Sequence, residues 1–233
     1  MAITVYWASR DPDWLRAEEP VSIYKNFVKT EVAQNMNVTL CPSVKLYLKN
    51  MYGLKSIHEY SFEITEPDKA VISNFYDQDF FNNHVNIRSA KDKAFSFNQP
   101  FLFFTEESSL ELSVGVFPSF ENNFIAQNTS LIPGTMDIGK WFRPIDFAFY
   151  LKNDQNSFHI KEGDIFQYIQ FHTKEKIVFK QFMINDKLSL FIDSVLKAKN
   201  HRVTNKLGNL EEYYNMLKSK KLIIKEIKDN LVG

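Results

Sequence analysis

Apolar and polar residues alternate with a period of two through much of the chain before Phe182, and with a helical period after it. Leu110, Leu112, Val114 and Val116 alternate with Glu111, Ser113 and Gly115, which predicts a strand with one wet face. Ile145, Phe147, Phe149 and Leu151 likewise share a face. Ile3 to Trp7, Val21 to Phe27, Ser56 to Ile64, Phe101 to Thr105 and Ile165 to Phe171 read as further extended segments. The link Lys152-Asn-Asp-Gln-Asn156 predicts that the strand ending at Leu151 and the strand Ile165 to Phe171 are antiparallel neighbours. Asp11-Pro-Asp13 and the asparagine-rich run from Glu121 to Ser130 read as turns.

Helical spacing occurs in two places. Val44, Leu48 and Met51 recur one turn apart behind Pro42, a residue suited to a first turn, and predict a short helix near 42–52 that stops by Gly53. Beyond Phe182, Asp186 is placed to cap a helix with Leu188, Phe191, Val195 and Leu196 as its apolar stripe. Asn209 and Glu212 make an approximate capping box for a second helix from Leu210 to Ser219, and Leu222 to Leu231 is helical or frayed. There is no internal repeat. Strands followed by helices, rather than alternating with them, predict a mainly β fold, a barrel or a jelly-roll sandwich. Its β-rich core spans 1–183 and a helical C-terminal extension spans 184–233.

Composition narrows the class. Of 233 residues 44% are hydrophobic and 24% charged, which excludes a disordered chain. Lys plus Arg equals Asp plus Glu at 28 each, so no global field draws the chain to a nucleic-acid backbone or an anionic membrane. From Asn200 to Gly233 there are seven Lys or Arg against four Asp or Glu, a mild excess of the kind solvated helices carry. Cys41 is the only cysteine, so no intramolecular disulfide or thiolate cage forms, which fits a reducing compartment. The first residues lack a signal-peptide pattern and no apolar run reaches bilayer length, so the expected place is the cytoplasm, with no membrane partner. Aromatic residues reach 15%, with 22 Phe, and predict half-buried sheet surfaces and subunit interfaces.

Chemical signatures are few. Neither a Gly-x-Gly-x-x-Gly turn nor a phosphate-binding Gly-x4-Gly-Lys-Ser/Thr loop occurs, and the Gly-x-Ser-x-Gly and His-Glu-x-x-His hydrolase patterns are absent too. Of five histidines, His159 and His172 are the pair expected to lie close, with Asp146 or Asp164 as a third ligand if a metal were held; surface histidines are the simpler reading. Asp77, Asp79, Glu106 and Glu107 are acidic pairs near aromatics, able to do acid-base work only if burial separates their pKa values. Cys41, between Leu40 and Pro42, is expected to be a small buried hydrophobe. Trp141 and Phe142 beside Arg143 could receive a base or sugar, although an anchor in the core or an interface is the more ordinary use.

The run Pro133-Gly-Thr-Met-Asp137-Ile-Gly-Lys-Trp-Phe-Arg143-Pro-Ile-Asp-Phe-Ala-Phe-Tyr-Leu-Lys-Asn153 resembles the third motif of the trimeric deoxyuridine triphosphatases and their deoxycytidine triphosphate deaminase relatives. Phe158-His-Ile-Lys-Glu-Gly163-Asp164-Ile-Phe-Gln167-Tyr-Ile-Gln-Phe171 is similar to the fourth motif of that group, in the same order and at about the same separation. Phage and bacterial proteins that share this strand-turn-strand signature are also similar. The resemblance implies a compact barrel or jelly-roll, often trimeric. In it Asp137 would activate a water, Trp141 or Phe142 would support the base, and Gln167 would approach phosphate, with Mg2+ required for the chemistry.

The sequence departs from that pattern at three points. It is one residue shorter between Gly163 and Gln167, and a one-residue slip moves a strand side chain to the opposite face. The phosphate-binding segment has as its counterpart Glu106-Glu-Ser-Ser-Leu110, where acids replace an arginine. Helices stand where the group has a glycine-rich C-terminal arm. These departures favour a non-catalytic, phage-encoded relative acting as an oligomeric binding or structural component. Such a protein would have no cofactor and would be a homo-oligomer, the trimer being the form that the resemblance implies, with protein partners in a phage particle; its place would be the host cytoplasm or the virion. The alternatives are a nucleotide pyrophosphatase or deaminase acting on a deoxynucleoside triphosphate, and a cupin-like sugar or metal site.

Overall fold

The computed structural model describes residues 2–10, 14–27, 41–65, 69–72, 78–97, 101–115, 124–146, 148–152, 155–204 and 218–232. In chain order its strands are β1 (Ala2–Ser9), β2 (Val21–Ser22), β3 (Met51–Lys55), β4 (Tyr60–Thr65), β5 (Lys69–Ile72), β6 (Val85–Ser89), β7 (Ala94–Phe97) and β8 (Phe101–Thr105). They continue with β9 (Glu111–Gly115), β10 (Thr129–Leu131), β11 (Thr135–Asp137), β12 (Ala148–Leu151), β13 (Ser157–Ile160), β14 (Ile165–Phe171) and β15 (Lys176–Gln181). The helices are α1 (Ile23–Phe27), α2 (Pro42–Leu48), α3 (Gln78–His84), α4 (Phe124–Asn128), α5 (Asp186–Thr204) and α6 (Lys220–Asp229).

The chain is mainly β, and its described strands form four open sheets, none closed into a barrel. Their orders are β15-β1-β8, β10-β12-β7-β6, β11-β9-β14-β3-β2 and β13-β4-β5. Pairing is antiparallel except between β1 and β15, which run parallel from Ala2 opposite Lys176 to Trp7 opposite Gln181.

β1 is covered on both faces, and this accounts for its nearly unbroken apolar run. Val5 and Trp7 join the main core with Phe101 and Phe103 of β8, while Tyr6 and Ala8 join Leu102 and Phe104 on the other face. That second face is roofed by Leu188 and Ile192 of α5 and by Ile223, Ile224 and Ile227 of α6. The C-terminal helices therefore pack on the chain's own sheet. Met183 donates its amide to the Asn230 carbonyl and Val232 donates to Gln181, so the last residues are tied to the end of β15.

The aromatic excess fills the main core. Phe62 stacks on Phe158 with centroids 5.0 Å apart, and Phe95 meets Phe158 edge-on at 5.0 Å. Phe62, Phe95, Phe101, Phe103, Phe149, Phe158 and Phe171 are all buried there. These rings serve the chain's own interior.

Several local expectations are corrected. α2 begins at Pro42 as predicted but ends at Leu48, because Asn50 turns into the left-handed region at φ 56° and starts β3. Met51 and Gly53, read as helix and helix stop, lie in β3; a Cβ on Gly53 would meet Ile165 Cδ1 at 2.7 Å. Val21 to Phe27 is extended only for its first two residues and then forms α1. Ser56 to Glu59 is a turn before β4, and the asparagine-rich run contains α4 followed by β10. β12 and β14 are not neighbours: β12 pairs with β10 and β7, whereas β14 pairs with β3 and β9. The link after β12 feeds β13, which pairs with β4. The cap of α5 is Asn185, whose Oδ1 accepts the Leu188 amide at 3.0 Å, rather than Asp186. The turn Asp11–Asp13, Val116, Phe147 and most of the predicted helix Leu210 to Ser219 lie outside the described residues. Among the described residues no helix is long and apolar enough to cross a membrane.

Candidate functional site

β11 pairs with β9, placing Asp137 opposite Glu111 at the end of the strand. There the chain turns back, and the amides of Lys140 and Trp141 donate to the Asp137 carbonyl at 3.1 and 2.8 Å. The Asp137 carboxylate faces the loop that joins β8 to β9. Oδ1 accepts the amides of Leu110 at 3.1 Å and Gly139 at 2.9 Å. Oδ2 accepts the Ser109 hydroxyl at 2.7 Å and lies 2.9 Å from Lys140 Nζ. An ionised carboxylate offers about four lone-pair sites, and these four donors fill them.

Burial alone would raise the Asp137 pKa. The hydrogen bonds from Ser109 and Lys140, and then from the Leu110 and Gly139 amides, outweigh it and hold the carboxyl below its ordinary value. The group is thus a charged, saturated acceptor. To take a proton from water it would first have to release a donor.

Gly139 explains how the turn and the loop come so close. A Cβ there would lie 2.7 Å from the Glu107 carbonyl oxygen and 2.8 Å from Ser109 Cα. Lys220, the first residue of α6, completes the arrangement: Nζ donates to the carbonyls of Glu107 and Gly139, the latter at 2.7 Å, and sits 5.6 Å from the Phe104 ring centroid. Burial holds the Lys220 pKa below its ordinary value, against the pull of Asp137, Glu107 and Glu106.

The other residues singled out from sequence do not gather around Asp137. Trp141 is half-buried and packs on the main core, whereas Phe142 is fully buried on the other side, edge-on to Phe104 at 5.1 Å beneath the helices. The two rings form no shared platform. Arg143 turns to Asp146, 3.8 Å away. Gln167 is fully buried in β14, opposite Leu54, at a register shift between Ile165 and Gln167. The departure in spacing before Gln167 is therefore accompanied by a bulge. Its amide has no hydrogen-bond partner among the described residues. In the shared sheet Tyr168 lies opposite Gly115 while Asp137 lies opposite Glu111, which puts Gln167 on the order of 13–17 Å further along the strands.

The acidic and histidine candidates also resolve into local roles. Glu106 accepts the Tyr6 hydroxyl at 2.7 Å and Lys228 at 2.9 Å, and these bonds hold its pKa below the ordinary value. Glu107 is exposed, Asp79 lies in the first turn of α3, and Asp77 lies outside the described residues. His159 is on β13 and His172 follows β14, in different sheets; His172 Nε2 meets Ser113 Oγ at 2.7 Å. The histidines that do meet are His58 and His84, with ring centroids 5.2 Å apart, brought together by a turn and α3 that no local pattern links. Asp164 accepts the Lys161 amide within its own turn. Among the described residues no group of three or more His, Cys, Asp or Glu could hold a metal ion. Cys41 is half-buried rather than buried, and the amides of Val44 and Ser43 hold its thiol pKa below the ordinary value.

No family model matches this chain, and no curated protein or solved structure matches it either.

Proposed function

We propose that this chain is a non-catalytic, oligomeric binding or structural protein built on a sandwich-like β fold, as a phage-encoded relative of the deoxyuridine triphosphatase group would be. The observation that carries the reading is the Asp137 carboxylate, filled by four protein donors. A general base needs an open acceptor site within reach of the attacking water. The position that the resemblance makes catalytic is here used to clasp a turn to a loop. Phe142 beneath the helices and Gln167 inside the sheet support the same reading, since neither is accessible to a nucleotide.

Subunit contacts in this reading use the exposed leucines of the helices, Leu46, Leu190 and Leu222, which are 70%, 70% and 63% exposed. Light scattering on the purified chain at micromolar concentration is expected to give a multiple of 27.3 kDa. Incubation with deoxynucleoside triphosphates and Mg2+ is expected to give neither pyrophosphate release nor base deamination. A monomer that turns over one of these substrates would replace this proposal with the enzymatic alternative.

A further inference from the structure

Asp146 lies just beyond the Trp141-Phe142-Arg143 run, where three cationic side chains from three parts of the fold converge on it. Arg88 from β6 donates to Oδ1 at 2.9 Å, Lys199 from α5 donates to Oδ2 at 2.5 Å, and Arg143 lies 3.8 Å from Oδ2. Burial works to raise the Asp146 pKa, but Lys199, Arg88 and Arg143 outweigh it and keep the carboxylate ionised. The four groups together carry three positive charges and one negative, in a chain whose formal net charge is zero.

One lysine would be enough to pin α5 to the β layers through Asp146. Arg88 adds a second cation from β6, and two like charges held at one carboxylate repel one another. Donor capacity is also in excess. Among the described residues, Arg88 engages Ser96 Oγ through Nε at 3.1 Å and Asp146 through one terminal nitrogen, two of about five N–H donors, and Lys199 engages Asp146 alone. Both are reachable, with side chains 41% and 25% exposed. A planar guanidinium, which can engage two oxygens at once, together with an ammonium suits the tetrahedral, many-acceptor phosphate group.

We propose that Arg88, Lys199 and Arg143, arranged around Asp146, form a binding site for the phosphate group of a small ligand. The site is distinct from the Asp137 turn and does not depend on how that turn is used. A phosphate group would lie over the exposed side of Arg88 and Lys199 and neutralise the excess charge, competing with Asp146 for the two cations.

The test is calorimetric titration of the full-length chain with inorganic phosphate and with pyrophosphate, at constant ionic strength set by sodium chloride. Saturable binding of one anion per chain is expected, with a dissociation constant of about 1 mM or tighter. Arg88→Gln and Lys199→Gln should each weaken it by about tenfold or more, and the double variant should abolish it. Asp146→Asn, if it folds, should tighten binding, because the internal competitor loses its charge. Should that variant fail to fold, the Arg88 and Lys199 variants decide alone, their folding checked by circular dichroism. No saturable heat up to about ten times that concentration would overturn the proposal. So would binding that survives in the double variant.

Discussion

The Ser109 hydroxyl donates to Asp137 Oδ2 at 2.7 Å, joining two loops whose residues stand 28 positions apart. Around that bond the β8–β9 loop, the turn after β11 and the first residue of α6 become one unit, held by the carboxylate on one side and by Lys220 on the other. The unit closes one end of the layer in which β1 and β8 lie between the aromatic core and the helices.

Asp137→Ala leaves the Leu110 and Gly139 amides, the Ser109 hydroxyl and Lys140 without their acceptor. A loss of about 2–4 kcal/mol is expected, read as a lower urea midpoint. The same bonds set a pH dependence. The folded-state pKa of Asp137 lies below its unfolded value, near 3.9 for an ordinary aspartate, so its contribution is complete above about pH 5 and is lost as pH falls through the folded value. Asp146 acts with the same sign. Urea midpoints measured from neutral pH down to about pH 3 should fall less steeply in Asp137→Ala than in the wild type.

Gly139→Ala forces a Cβ to 2.7 Å from the Glu107 carbonyl oxygen and 2.9 Å from the Ser109 nitrogen. Both neighbours are backbone and the contact has little room to relax. The expected cost is about 1–3 kcal/mol, measurable as a drop in Tm.

Asn50 combines a left-handed φ of 56° with two side-chain bonds, its amide donating to the carbonyls of Thr173 and Glu175 at 2.8 Å each. Asn50→Gly keeps the conformation and loses only the bonds, whereas Asn50→Ala loses both. Chemical denaturation should therefore rank wild type above Gly and Gly above Ala, with the last step about 1 kcal/mol.

Gln167→Leu tests the reverse case. The buried amide finds no partner among the described residues, so an apolar side chain of similar volume should leave stability unchanged or raise it by about 1–3 kcal/mol. A marked loss on thermal melting would show that the amide is bonded in solution.

These sites show where the sequence was readable. β1, β8, β9 and β14 follow from runs of adjacent residues, because a buried or alternating strand writes its faces into its own sequence. The end of α2 was not readable, since Asn50 takes the left-handed turn for the sake of carbonyls more than 120 positions away. Strand partners were not readable either. β12 runs toward β14 in sequence, yet each pairs in a different sheet, and the choice is made by long-range packing of Phe95, Phe149 and Phe158. Asp137 stood out in its motif, but its four donors come from both sides of a 27-residue separation that spacing alone does not reveal. The Asp146 cluster joins β6 to α5, and nothing near Arg88 or Lys199 in sequence announces it.

The most direct test of the account is made on Asp137→Asn beside the wild type, in one preparation, measuring the urea midpoint and the turnover of deoxynucleoside triphosphates with Mg2+. A carboxylate that serves as a clasp predicts a lower midpoint for the variant, by about 1–2 kcal/mol, and no turnover by either protein. Turnover by the wild type that falls by several orders of magnitude in a variant of unchanged stability would contradict it, and would make Asp137 a catalytic base.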